Sequence, residues 1–262
     1  MKRAKNDAPR FERETDLCAA FIAAVAQERE GDWVPFAETA GFDILLASKK
    51  TGVQIGIEAK LALNTKVLTQ ALPFVSTYVT AEVGPDYRAV LIPDYAADGG
   101  LRDLFAALGI TILRQSVPDE RGRFPRTWFS LPNSRMIQSG WHPWCPVRRC
   151  KLPDYIPDVQ AGASAPVALT AWKVSAIKLA ILLEDGPVTR ADFRALGMSP
   201  SRWTDPWTGW LKATPEGYVR GPHMPDFAAQ HPRNYGEIKA DRAKWIWPRV
   251  VVSGKLLSGV KV

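Results

Sequence analysis

Between residues 12 and 27 the apolar positions recur at helical spacing. At roughly 100° per residue from Glu14, the side chains of Leu17, Cys18, Phe21 and Val25 fall within about 60° of it, while Glu12 and Asp16 point away. The pattern predicts an amphipathic helix with an acid, Glu14, inside its apolar stripe. The period then changes. Residues 42–48 (FDILLAS) and 53–61 (VQIGIEAKL) are rich in β-formers and flank Lys49-Lys50-Thr51-Gly52, which predicts a hairpin. On its second strand Val53, Ile55, Ile57 and Ala59 alternate with Gln54, Gly56, Glu58 and Lys60, so that Glu58 and Lys60 share a face. Residues 33–39 are read as an additional strand before the turn at Ala40 and Gly41.

Asn64 is placed to cap a helix running through Gln70, which Pro73 kinks or ends. Strands are predicted at 87–93 and 110–114, with a helix over 101–108 stopped by Gly109. The order is helix, strands, helix, strand, helix, strand, which defines a mixed α/β domain over residues 1–135. Eight prolines between Pro118 and Pro166 make residues 136–168 a proline-rich linker. Helical periodicity returns at Leu169, with Trp172, Ala176, Leu179, Ala180 and Leu183 on one side and Gly186 as the stop. Thr189 and Asp192 form a capping-box pattern for a second helix ending at Gly197, and Ser199-Pro200 opens a third. A strand over 217–220 follows. Residues 169–262 thus read as a small, mainly helical domain resembling a winged helix, with Arg202 near the start of the recognition helix and Pro206 as the departure from that pattern.

Composition narrows the class. Hydrophobic residues are 46% and charged residues 23% of the 262, which excludes a disordered chain, a collagen and a coiled-coil rod. No apolar run reaches membrane-spanning length, and three cysteines are too few for a disulfide framework, so the expectation is a soluble, cytoplasmic protein with no membrane partner. Residues 1–140 carry 17 Lys+Arg and 17 Asp+Glu, whereas 141–262 carry 17 and 10, so the +7 excess is C-terminal. Eight of the ten tryptophans lie there too, a combination that suits a polyanion such as DNA and equally a solvated basic face over a Trp-rich core. Lys49, Lys50, Lys66, Arg148, Arg149 and Arg202 are the candidate phosphate contacts. The residues do not distinguish DNA from RNA.

The candidate chemistry lies on the hairpin. Asp43 and Glu58 on neighbouring strands offer hard oxygen ligands suited to Mg²⁺, with Mn²⁺ as a substitute and the Ala59 carbonyl as a further ligand. Lys60, on the face of Glu58, is placed to orient a water or offset charge on a phosphate. The alternative is an exposed Glu58/Lys60 pair that stabilises the sheet, with Asp43 capping a strand, which leaves Glu14 unexplained; taken by itself, Glu14 also reads as a carboxylate favouring the helix N-terminus. His142, Cys145 and Cys150 have the spacing His-x2-Cys-x4-Cys without a fourth ligand, which argues against structural zinc. Trp203, Trp207 and Trp210 share helical spacing and read as core.

Asp43, fourteen intervening residues and then Glu58-x-Lys60, set in this element order, resemble the PD-(D/E)XK nuclease superfamily with its restriction-endonuclease-like fold. The resemblance covers about residues 10 to 115. It implies Asp43 and Glu58 as metal ligands, Lys60 as the catalytic lysine, Glu14 as the acid of the first helix and Gln70 as a polar residue on the helix after the motif strand. Phe42 stands where the superfamily often has proline, and Phe74 where one subgroup has tyrosine. The function it implies is a Mg²⁺-dependent endodeoxyribonuclease, acting as a homodimer if both strands are cut, with the C-terminal domain holding DNA. Two rival readings are a non-catalytic DNA-binding protein, regulatory or architectural, on a nuclease-like fold, and a protein-interaction adaptor.

Overall fold

The structure, a computed structural model, describes residues 10–27, 31–72, 83–97, 99–118, 141–163, 168–201, 203–205, 207–247, 249–252 and 255–258. Pro73, Phe74, Arg202 and Pro206, on which some of the expectations rest, lie outside them. The chain divides into two compact units, Met1–Leu152 with Val159–Pro166, and Pro153–Asp158 with Val167–Val262. Residues 136–168, read as a linker, are therefore shared between the units. Among the described residues no helix is long and apolar enough to cross a membrane.

The first unit is mixed α/β. Helix α1 (Glu14–Ala26) precedes strands β1 (Trp33–Thr39), β2 (Phe42–Ser48) and β3 (Gln54–Ala59), then α2 (Thr65–Ala71), a short β4 (Val83–Gly84), β5 (Tyr87–Pro93), α3 (Arg102–Ala107), β6 (Ile110–Gln115) and a short β7 (Arg148–Arg149) that pairs with β4. The main sheet has the order β1-β2-β3-β5-β6. Its first three strands are antiparallel and its last three parallel, because β3 leads through α2 to β5, and β5 through α3 to β6.

Alternation along the strands sorts two layers of core. Ile44, Leu46, Ile55, Ile57, Ala89, Leu91 and Leu113 pack with Leu17, Cys18 and Phe21 of α1. Val90, Ile92, Ile110 and Ile112 pack with Val67 of α2 and Phe105 of α3. Asn64 caps α2 as expected, its side chain accepting a hydrogen bond from the Val67 N–H. Gly56 has no room for a side chain, since a Cβ there would lie 2.6 Å from the Phe42 ring. That ring in turn carries the buried Arg88 guanidinium, which sits between the faces of Phe42 and Trp144.

The second unit holds α4 (Ala171–Glu184), α5 (Arg190–Ala195), a hairpin of β8 (Leu211–Thr214) and β9 (Gly217–Arg220), then α6 (Phe227–Gln230), α7 (Pro232–Ala240), α8 (Arg242–Trp245) and a hairpin of β10 (Arg249–Val252) and β11 (Lys255–Ser258). The Thr189/Asp192 capping box forms as expected. The third helix does not. After one turn closed by the Thr204 N–H on the Pro200 carbonyl, Asp205 Oδ1 takes the N–H groups of Trp207 and Thr208, and the chain turns. Trp203 is then 1% exposed in the core while Trp207 is 86% exposed, so the tryptophans do not share a helical face. Trp172, expected in the core, is 43% exposed, although its ring meets those of Trp203 and Trp210.

Candidate active site

The end of the sheet where β1 finishes, β2 begins and β3 finishes gathers the charged residues of the first unit. The two-residue turn pairs Thr39 with Phe42, and the next pair inward is Ala37 with Ile44, so Glu38 and Asp43 are the intervening residues on the two strands. In β2 and β3 the pair Ile44 and Ile57 makes Asp43 and Glu58 the next residues outward. Three acids from three strands thus meet by register. Asp43 is held by the chain, its Oδ2 accepting the Ala59 N–H at 2.7 Å. Lys60, just past β3, has its backbone N–H on the Leu91 carbonyl and sends its Nζ to Glu14 Oε2 at 2.8 Å, joining the first turn of α1 to the cluster.

The electrostatics follow from burial and crowding. Glu58 is 6% exposed. Burial, reinforced by Asp43, Glu38 and Glu14 and opposed by Lys60, pushes its carboxyl up to about 8. Burial also raises Asp43 above its ordinary value, against the pull of the Ala59 N–H and Lys60. For Lys60, burial works against the ammonium, but the Glu14 hydrogen bond and the charges of Asp43, Glu14 and Glu58 outweigh it and hold its pKa above that of an ordinary lysine. Lys60 is therefore a fixed cation, not a base, at neutral pH. The cluster carries more acid than one lysine neutralises, which adds to the effect of burial on Glu58.

Such a donor set fits a hard divalent cation in the form that uses few protein ligands. Mg²⁺ keeps several waters and takes one or two carboxylates, which Asp43, Glu58 and the Ala59 carbonyl can supply. Among the described residues no group of three or more His, Cys, Asp or Glu side chains is disposed to hold a metal ion. Of the residues with His-x2-Cys-x4-Cys spacing, Cys150 is buried, with its backbone N–H and carbonyl on the Gln54 amide, while Cys145 is exposed and His142 packs over Gly109.

Glu14, Asp43, Glu58 and Lys60 therefore come together. Gln70 is exposed on α2, as is Lys66. Lys49 and Lys50 follow the opposite end of β2, whose last residue, Ser48, is five residues or about 16 Å from Asp43, and Arg149 Nη1 donates to the neighbouring Thr51 carbonyl. There Arg149 is ion-paired with Asp86 at 2.8 Å, the Lys50 N–H is on Asp32, and Lys49 Nζ donates to the Gly31 carbonyl. Arg148 is exposed beside them.

Sequence reasoning missed Glu38. Its φ of 48° lies in the left-handed region, rare for a non-glycine residue, and its carboxylate accepts the Gly162 N–H at 2.7 Å and the Ala163 N–H at 3.3 Å. One signal was available: a two-residue turn at Ala40 and Gly41 brings residue 38 beside residue 43. No family model, curated protein or solved structure matches this chain.

Proposed function

We propose that the protein is a metal-dependent nuclease that hydrolyses phosphodiester bonds of DNA at the Glu14, Asp43, Glu58 and Lys60 cluster. The observation that carries this reading is a lysine ion-paired to a helix acid and set beside two strand acids, the combination that the resemblance to PD-(D/E)XK nucleases implies. Asp43, Glu58 and the Ala59 carbonyl would hold Mg²⁺ or Mn²⁺, and a divalent ion there acidifies a water and offsets phosphate charge.

The chain's own groups then have separate tasks. Lys60, an ammonium throughout the physiological range, stabilises the extra negative charge on the phosphate as the water attacks. Glu14 fixes the direction of the Lys60 side chain through its hydrogen bond. The Ala59 N–H does the same for Asp43. Glu58 must lose its proton to act as a ligand, so ion affinity rises with pH up to about 8. The C-terminal excess of basic residues supplies attraction for the DNA backbone, which the acidic cluster repels.

The test is cleavage of supercoiled plasmid and of a branched oligonucleotide with Mg²⁺ or Mn²⁺. Asp43→Ala and Lys60→Ala, shown to be folded, are each expected to lower cutting by about a hundredfold to a thousandfold. A second reading, a non-catalytic DNA-binding protein, is favoured by the burial of Glu58, which raises its carboxyl to about 8 and weakens it as a metal ligand at neutral pH. Intact DNA together with salt-sensitive binding that both variants retain would establish it in place of the nuclease.

A further inference from the structure

The segment at 159–163 belongs to the first unit although it lies far along the chain from α1 and the sheet. Ala161 is buried in the core that α1 shares with the sheet, and Val159 packs against that core. Gly162 then passes over the first turn of α1 at close range. A Cβ at that position would lie 3.0 Å from Cys18 Sγ and 3.3 Å from the carbonyl carbon and oxygen of Glu14, and its φ of +75° favours glycine independently. What fastens the segment on its sheet side is Glu38, whose Oε1 accepts both the Gly162 and the Ala163 N–H. A left-handed backbone is costly for glutamate, and at a strand end it persists only where surrounding contacts enforce it. Here it delivers one carboxylate between Asp43 and two amides more than a hundred residues away in sequence.

We infer that Glu38 is a positioning residue that straps residues 159–163 across the first turn of α1 and thereby holds Glu14 in its contact with Lys60. This deepens the nuclease reading and rests on it. Glu38 touches neither substrate nor the ion in this scheme. It acts through the strap on Glu14, and through Glu14 on the lysine, in the way that outer hydrogen-bond partners orient the groups of a charged site.

Two kinds of variant test it on the full chain. Glu38→Ala removes the acceptor; Glu38→Gln keeps an oxygen for the two amides and removes the charge; Gly162→Ala lifts the strap from the other side. Amide hydrogen exchange at Gly162 and Ala163 and steady-state cleavage with Mg²⁺ are measured for each. Glu38→Ala and Gly162→Ala are expected to lose protection at the strap and at least about tenfold in kcat with KM for DNA unchanged, and Glu38→Gln to restore both to within about threefold. Lost protection with unchanged kcat, or a Glu38→Gln variant as impaired as Glu38→Ala, overturns the inference and leaves the nuclease reading standing. A wild-type protein that cuts no DNA with either ion overturns the nuclease reading and the inference with it.

Discussion

In the first unit the buried Glu58 faces Asp43, Glu38 and Glu14 with a single lysine among them, and burial together with this crowding raises its carboxyl to about 8. The second unit also buries polar side chains, namely Asp192, His231 and Asn234, but each of these secures nearby backbone. Asp192 takes the Thr189 N–H at 2.7 Å and the Trp247 indole N–H at 3.2 Å. His231 Nδ1 meets Asp158 at 2.9 Å, and the other oxygen of Asp158 takes the N–H groups of Arg233 and Asn234 at the start of α7. Asn234 returns to the Asp158 N–H and the Ile156 carbonyl. Buried polarity in the second unit is thus structural stitching in which His231 Nε2 alone lacks a partner among the described residues. The first unit has such stitching too, in Gln54 on the Cys150 backbone and Arg88 on the Ala71 carbonyl, but around Glu58 its acids outnumber the one lysine, an imbalance of like charge that singles out this end of the sheet as the candidate site.

The contrast can be broken or sharpened by measurement. The second unit should respond chiefly through packing: Trp203→Ala, which empties a ring contacted by Trp172, Trp210 and Phe193, is expected to cost about 3–5 kcal/mol in urea unfolding. The first unit should respond to pH. Because Glu58 is raised from 4.5 to about 8, its contribution to stability is fully present below pH 4.5 and is lost as pH rises through about 8. Asp43 and Glu38, also raised, act in the same direction. At about 1.4 kcal/mol per pH unit, the loss is on the order of a few kcal/mol, and Glu58→Gln should flatten the stability profile between pH 5 and pH 8. A profile unchanged by that substitution would erase the distinction between the units. Smaller again, Thr189→Ala should cost about 1 kcal/mol through the lost capping box. Smallest is Trp207→Ala, within about 0.5 kcal/mol, since that ring is exposed.

Elements whose signals are local were legible in the sequence. The apolar stripe of α1, the β3 strand, the Asn64 cap and the Thr189 box all appear where the pattern placed them, although β3 is buried on both faces. Residues 199–210 show the limit of such signals. Ser199-Pro200 begins a turn as its chemistry dictates, but Asp205 captures the next N–H groups and the core claims Trp203, so the helix stops. Register shows the converse: the spacing of Asp43 and Glu58 named two acids correctly as neighbours, because a hairpin converts sequence separation directly into cross-strand position.

By itself, then, the sequence determined the mixed α/β order of the first unit, the hairpin that carries the acids and the helix that brings Glu14. These depend on periodicity and turn chemistry within a few residues. Only the tertiary structure decided that Lys60 reaches Glu14, that Glu38 leaves the strand pattern to take two amides 124 and 125 residues away, and that Arg149 reaches the Thr51 carbonyl, at the far end of β2 from the acids. Each of those outcomes is set by burial and by partners distant in the chain, whose free energy no local pattern records.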